Sequence, residues 1–285
     1  MANRIQRGWE LTKQSLQILK ANKQILLFPI ISGIVCSAIL SLIVRPLWHI
    51  EYNYLQTGQQ HALSTTLGII ALIVALFVCN LIVIFCNAAL IATIANYFKT
   101  QKLSLRYGLK AAKACFPAII VWTLFNTTIG FTLRTFQSRL GQIAAIAAVL
   151  LGIAWTIVSY FIVPILVLEK IGPITAIKQS AHVLHKTWGR SLISTIGLGL
   201  ILFIARLMVL TPLAIGIYIG GGHHIFIALM ISVVLLVILT IISSAAKNIL
   251  RTALYLYATD NNIALPYNIN TIKHAFRSRE LKSTS

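Results

Sequence analysis

Apolar residues in this chain come in long unbroken runs, separated by short segments dense in lysine and arginine. The runs are Ile25 to Val44, roughly Leu67 to Leu90, Phe116 to Leu133, Ile143 to Leu168, Leu192 to Ile219 and Ile225 to Ala246. A helix of roughly 18–20 apolar residues crosses the ~30 Å hydrocarbon core of a bilayer, and every run reaches that length. Backbone groups left unpaired in hydrocarbon cost several kcal/mol apiece, so each run is predicted to be helical. The expected fold is an all-α membrane protein whose six transmembrane helices form three hairpins.

The basic segments have a pattern of their own. In the leader, Ile5, Trp9, Leu16 and Leu19 fall on one helical face, with Thr12 its one polar member. In the fourth connection Gly172-Pro173 offers a helix start, Ile177, Ala181, Leu184 and Trp188 an apolar face, and Gly189 a stop. Basic amphipathic helices of this kind lie in the headgroup plane, and Ile5 to Lys20 and Pro173 to Lys186 are expected to do so. Lys13-Gln14-Ser15 and Leu19 recur 165 positions later as Lys178-Gln179-Ser180 and Leu184, and Ser104 to Cys115 is a weaker third copy. The chain therefore parses as three units, each a basic interfacial helix followed by a hairpin. Residues 1–260 form one six-span domain and 261–285 a basic cytoplasmic tail.

Composition changes the picture by exclusion. The chain is 58% hydrophobic and 10% charged, whereas soluble domains are about one quarter charged. The net charge of +19 does not point to nucleic acid, because the basic residues flank apolar runs instead of covering a soluble face. It does set orientation. The leader, the second and fourth connections and the tail together hold twenty Lys and Arg, while Arg45, Arg134 and Arg139 lie in the other connections. By the positive-inside rule both termini are cytoplasmic. Arg45-Pro46 stands where a signal peptide would carry small residues, so the first run reads as a retained span. Cys36, Cys79, Cys86 and Cys115 have no zinc-site spacing and suggest no disulfide framework.

Several motifs carry a family likeness: Gly8-Trp9, Ser15, Leu27-Phe28-Pro29, Val163-Pro164 through Glu169, Ala176, Ser180, Trp188-Gly189, and Ala253-Leu254-Tyr255-Leu256-Tyr257-Ala258. On these residues the chain resembles an uncharacterised family of six-span bacterial membrane proteins. More distantly, it is similar to the membrane domain found beside some glycerophosphodiester phosphodiesterases. The resemblance implies a bacterial inner-membrane location and supplies no reaction, since no catalytic phosphodiesterase domain is present.

Candidate chemistry is sparse. The five acidic residues are Glu10, Glu51, Glu169, Asp260 and Glu280, and none lies deep within a run. Paired-carboxylate hydrolysis, a Ser-His-Asp triad and carboxylate-coupled proton pumping are all hard to build from them. Arg206 stands out as a charge inside an apolar run, where it either snorkels, aided by a kink at Thr211-Pro212, or holds a substrate or lipid headgroup. Asn80 and Asn87 share a face of the second span, and Asn126 with Thr127 and Thr128 adds polarity to the third. Interhelical hydrogen bonding accounts for them without a ligand, although they are also candidates to line a headgroup or substrate path. Ala144, Ala148 and Gly152 form a small-residue stripe suited to close helix packing. His49, His61, His223 and His224 lack ligand spacing, so neither a metal nor another cofactor is expected. Trp48 and Trp188 read as interfacial anchors.

The leading expectation is a non-enzymatic inner-membrane protein that binds anionic lipid through Arg4, Arg7, Lys13, Lys20, Lys110, Lys113, Lys178 and Lys186. Its partners would be anionic lipids and other membrane proteins, which it would organise. The alternatives are a transporter or channel for an anionic or lipidic substrate, using Arg206 with Asn80, Asn87 and Asn126, and, last, a lipid-headgroup enzyme.

Overall fold

A computed structural model describes residues 13–57, 62–139 and 142–259, and these are helical with no strand among them. The helices are α1 (residues 13–21), α2 (Leu27–Thr57), α3 (Ala62–Thr100), α4 (Leu105–Ala114), α5 (Phe116–Arg139), α6 (Gln142–Val158), α7 (Ile162–Leu168), α8 (Pro173–Val209), α9 (Thr211–Ile219) and α10 (Gly222–Thr259). Short 3-10 turns at Lys23–Leu26 and Ser159–Phe161 join α1 to α2 and α6 to α7. Among the described residues six stretches are long and apolar enough to cross a membrane: Lys23–Pro46, Thr66–Thr100, Phe116–Leu133, Ala145–Leu168, Leu202–Ile219 and Gly222–Thr259. The protein is a multi-pass membrane protein, and these six stretches overlap the six predicted runs.

Two boundaries differ from the sequence pattern, and one expected kink is present. The run Ile143 to Leu168 is divided, because Pro164 has no N–H and its ring crowds the carbonyl four residues earlier, at Tyr160. The helix yields there as the 3-10 turn Ser159–Phe161, whose end bonds the Ile162 N–H to Ser159 O instead of to Val158 O. Gly189 does not stop a helix: α8 runs unbroken from Pro173 to Val209, so the third basic segment is continuous with the chain that follows. Glycine inside a helix costs about 1 kcal/mol relative to alanine, whereas exposing the backbone groups of a helix end in an apolar setting costs several. The fifth run does break at Thr211-Pro212. There α8 ends at Val209, α9 starts at Thr211, and the Thr211 hydroxyl donates to Met208 O at 2.7 Å.

Within the described residues, contacts gather the chain into two compact units, one comprising the segment up to Leu26, Thr93–Leu105 and the chain from Ala181 onward, the other Leu27–Ala92 and Arg106–Ser180. In the first, α9 and α10 form a hairpin turned by Gly220 and Gly221, whose φ values of 75° and 83° suit glycine. The buried residues of α10 concentrate near its basic end, with Ala245, Ala246, Asn248, Ile249 and Leu250 all at or below 4% exposure. In the second unit, α5 and α6 pack together. The stripe lies in that pairing: Ala148 is buried, and a Cβ on Gly152 would meet Leu133 at 3.9 Å, an ordinary contact. The side chain of Ala144 is outside the described residues. The residues of α7 from Ile162 to Val167 are all buried, immediately before Glu169 and Lys170. Large apolar residues such as Leu42, Leu67, Phe131, Ile146 and Phe226 stay exposed, as a lipid-facing surface requires.

Two turns that follow spans share one device. Gln101 (φ 57°) follows α3 and Lys170 (φ 55°) follows α7, each placing a non-glycine residue in the left-handed region just past a helix end. Gln101 N–H returns to Tyr97 O at 2.8 Å, and Asn96 Nδ2 donates to Lys102 O at 3.2 Å. These bonds hold the short link that leads into α4.

Candidate anion-binding surface

The three basic helices bury faces in which small residues recur. In α1, Ser15, Ile18 and Leu19 are buried while Lys13 and Lys20 are exposed. In α4, Gly108 and Ala112 are buried, as is Cys115 in the turn beyond, while Lys110 and Lys113 are exposed. At the start of α8, Ala176, Ser180, Val183 and Leu184 are buried and Lys178 is exposed. The α8 face is therefore rotated from the predicted one: Ala181 is exposed and Ile177 only half-buried. The side chain of Trp188 is outside the described residues, as are Ile5, Trp9, Thr12, Arg4 and Arg7 in the leader and the side chain of Lys186.

Burial follows the internal repeat. Ser15, Ile18 and Leu19 correspond at the same 165-residue spacing to Ser180, Val183 and Leu184, and all six are buried, while Lys13 and Lys178 are both exposed. Small residues at the buried positions let a helix backbone approach its neighbour closely, and this packing turns the lysines outward. The expected apolar face weighted large residues, and so it missed Ser15, Gly108, Ala112, Ala176 and Ser180.

Ser180 has a specific task. Its hydroxyl donates to Val158 O and accepts from Phe161 N–H at 3.3 Å. These are backbone groups beside the break that Pro164 imposes. One residue earlier, Gln179 Nε2 donates to the Glu169 carboxylate, the one acidic side chain described. Lys170 lies near enough to Cys115 to act on it: burial pushes that thiol up from its ordinary value, and the Lys170 charge pulls it partly back. Cys115 is thereby kept a thiol near neutral pH. The four cysteines are free.

The asparagines stitch helices together within the second unit. Asn80 Nδ2 of α3 donates to Thr127 Oγ1 of α5 at 2.8 Å, and Trp155 Nε1 of α6 donates to Asn126 Oδ1 at 3.3 Å. Trp155 also stacks on Trp122, with ring centroids 5.7 Å apart. Adjacent residues of α5 thus tie it to two neighbours, and Asn87 is half-buried farther along α3. Interhelical bonds of this type contribute about 0.6 kcal/mol on average. Asn80→Leu and Thr127→Val should each lower unfolding free energy by about 0.6–1 kcal/mol. The double variant should cost little more than either alone, a coupling that a double-mutant cycle by thermal unfolding in detergent would read.

Arg206 is exposed on α8. Arg206 and Arg251 both lie within electrostatic reach of Lys247. Lys247 and Arg251 sit one turn apart on α10, and Lys247 directly follows the sixth apolar run. Sequence reasoning treated Lys247 and Arg251 as topology charges alone, because nothing in a linear pattern brings them to residue 206. Among described residues no three His, Cys, Asp or Glu side chains gather as metal ligands. His223 and His224 have ring centroids 6.2 Å apart, and His224 Nδ1 lies 3.1 Å from Gly220 O.

No curated protein matches the chain. Residues 66–264 match the family of unknown function DUF6159, and the match carries no link to membrane domains that accompany glycerophosphodiester phosphodiesterases. That stretch begins within the first turns of α3 and runs through α10, including the Ser180 junction and the Asn80 to Trp155 bonds. With well over half of its length matched, the chain belongs to the DUF6159 family.

Proposed function

We propose that this protein is a non-enzymatic component of the bacterial inner membrane, with both termini cytoplasmic, that binds anionic lipid on the basic faces of its cytoplasmic helices and so organises lipid or partner proteins around it. The observation that supports this reading is the outward presentation of Lys13, Lys20, Lys110, Lys113 and Lys178 by helices whose opposite faces are buried. A lysine held in place by packing loses less freedom when it meets a phosphate than one on a flexible segment. Each basic residue near an anionic surface contributes roughly 1 kcal/mol. The competing transporter reading needs a polar path, and Asn80 and Asn126 are committed to Thr127 and Trp155.

Tryptophan quenching by brominated phosphatidylglycerol and brominated phosphatidylcholine in reconstituted bilayers tests the reading. The wild type should be quenched preferentially by phosphatidylglycerol, with the preference falling as salt rises. A variant carrying glutamine at positions 13, 20, 110, 113 and 178 should lose most of it. Equal quenching of the wild type by the two lipids would overturn the reading.

A further inference from the structure

Two thiols of the second unit meet across a pair of spans. Cys36 Sγ of α2 donates to Cys79 O of α3 at 3.6 Å, and Cys79 Sγ donates to Cys36 O at 3.8 Å. Such a reciprocal pair arises only where two residues stand at one level on facing helices whose backbones approach closely. That level is deep in the bilayer, since both residues lie near the middle of an apolar run. Asn80, next to Cys79, ties α3 to Thr127 of α5 close by. Cys79 is buried, whereas Cys36 is half-buried with exposed Ile34 and Val35 beside it, so Cys36 is the thiol nearer the lipid. Both are free thiols, and neither the basic faces nor the bonds of Asn80 and Asn126 use them.

We infer that Cys36 and Cys79 form a redox-active dithiol, which a lipid-soluble quinone oxidises to a disulfide that staples α2 to α3. Disulfides need the two backbones in close approach, and the reciprocal contacts supply it. The reaction takes two steps. The Cys36 sulfur adds to the quinone ring while its proton passes to a quinone oxygen. The Cys79 sulfur then attacks the Cys36 sulfur: the S–S bond forms, the sulfur–ring bond breaks with its electron pair going to the ring, and the Cys79 proton completes the quinol. The thiols lose two electrons and two protons, and the quinone gains both. Reactants and products are all neutral. That balance selects the oxidant class, because an oxidant that takes electrons alone would leave two protons in hydrocarbon, where an uncompensated charge is prohibitively costly. Thiols buried in apolar surroundings are also slow toward oxidants dissolved in water. The staple would fix the α2–α3 crossing according to the state of the quinone in the membrane. This inference stands apart from the anionic-lipid reading, in which no cysteine takes part.

The test starts from full-length protein, reduced, freed of reductant and reconstituted in bilayers without oxygen. Decylubiquinone is added as the probe, and the protein is then denatured and alkylated with N-ethylmaleimide for intact-mass and peptide analysis. The wild type should lose two of its four reactive thiols, form one quinol for each disulfide, and yield a peptide in which Cys36 is linked to Cys79. The double variant Cys86→Ala, Cys115→Ala should form the same link, and Cys79→Ala should form neither link nor quinol. Oxidation should raise the unfolding midpoint of the wild type by about 5 °C and leave that of Cys79→Ala unmoved. Retention of all four thiols by the wild type would overturn the dithiol, and so would a link from either residue to Cys86. The wild-type peptide map decides the pairing even where a variant does not fold. Ferricyanide, a water-soluble oxidant that takes electrons alone, should form the link far more slowly; equal rates with the two oxidants would overturn the quinone class.

Discussion

Ser180→Ala should lower the stability of the folded protein by about 2–4 kcal/mol, the largest loss expected from any single-atom deletion in the described chain. The hydroxyl bonds to two backbone groups, Val158 O and Phe161 N–H, beside the break before α7. Ile162 N–H, the usual partner of Val158 O in a continuous α-helix, goes to Ser159 O instead. Ser180 is 0% exposed and Phe161 is 0% exposed, so water cannot replace the lost oxygen. A buried donor or acceptor left unsatisfied costs about 1–3 kcal/mol, and two are exposed by the one change. Thermal unfolding in detergent measures the loss. An unchanged midpoint in Ser180→Ala would mean that the α6–α7 junction is held without this hydroxyl. Because Ser15 is also 0% exposed at the equivalent repeat position, Ser15→Ala should move stability in the same direction.

Gly216→Leu should be more disruptive than any other glycine replacement described here. A Cβ built at Gly216 would overlap the Ala228 methyl and come within 3.1 Å of His224 O, both on α10. One of these neighbours is backbone, so relief requires α9 and α10 to move apart. Overpacking a tight contact costs about 1–3 kcal/mol even for modest additions. Gly216→Ala should therefore cost about that much, and Gly216→Leu should abolish the hairpin packing. By contrast Gly199, where a Cβ meets nothing within 4 Å, should accept alanine with little change. Expression level and unfolding midpoint of the three variants check the ranking, and a Gly216→Ala protein as stable as Gly199→Ala would contradict the close crossing.

The six spans were legible because their signal is long and repeated: each run is apolar for at least as many residues as the bilayer is thick. The kink at Thr211-Pro212 was legible for a local reason, the missing proline N–H. Pro164 carries the same signal, but it stands only six residues before Lys170, where a helix end is expected in any case, so the run Ile143 to Leu168 does not by itself announce a break. Gly189 misled in the opposite sense, since its local cost is small beside that of breaking a helix in apolar surroundings. For the candidate site, the exposed lysines were legible as charges at helical spacing. The buried faces of those helices were not, because Ser15, Ala112 and Ala176 have little hydrophobic signal and are buried through what they allow a neighbouring backbone to do.

The lipid-binding reading requires the lysine-bearing helices to meet one leaflet, the cytoplasmic one. Single cysteines placed at Lys13, Lys110 and Lys178 on a background without Cys36, Cys79, Cys86 and Cys115 can be labelled with a membrane-impermeant maleimide in sealed vesicles of known orientation. All three should react only from the cytoplasmic face, and a cysteine at His223 only from the opposite one. Labelling of any of the three lysine positions from the side that labels His223 would contradict a single anionic-lipid-binding face.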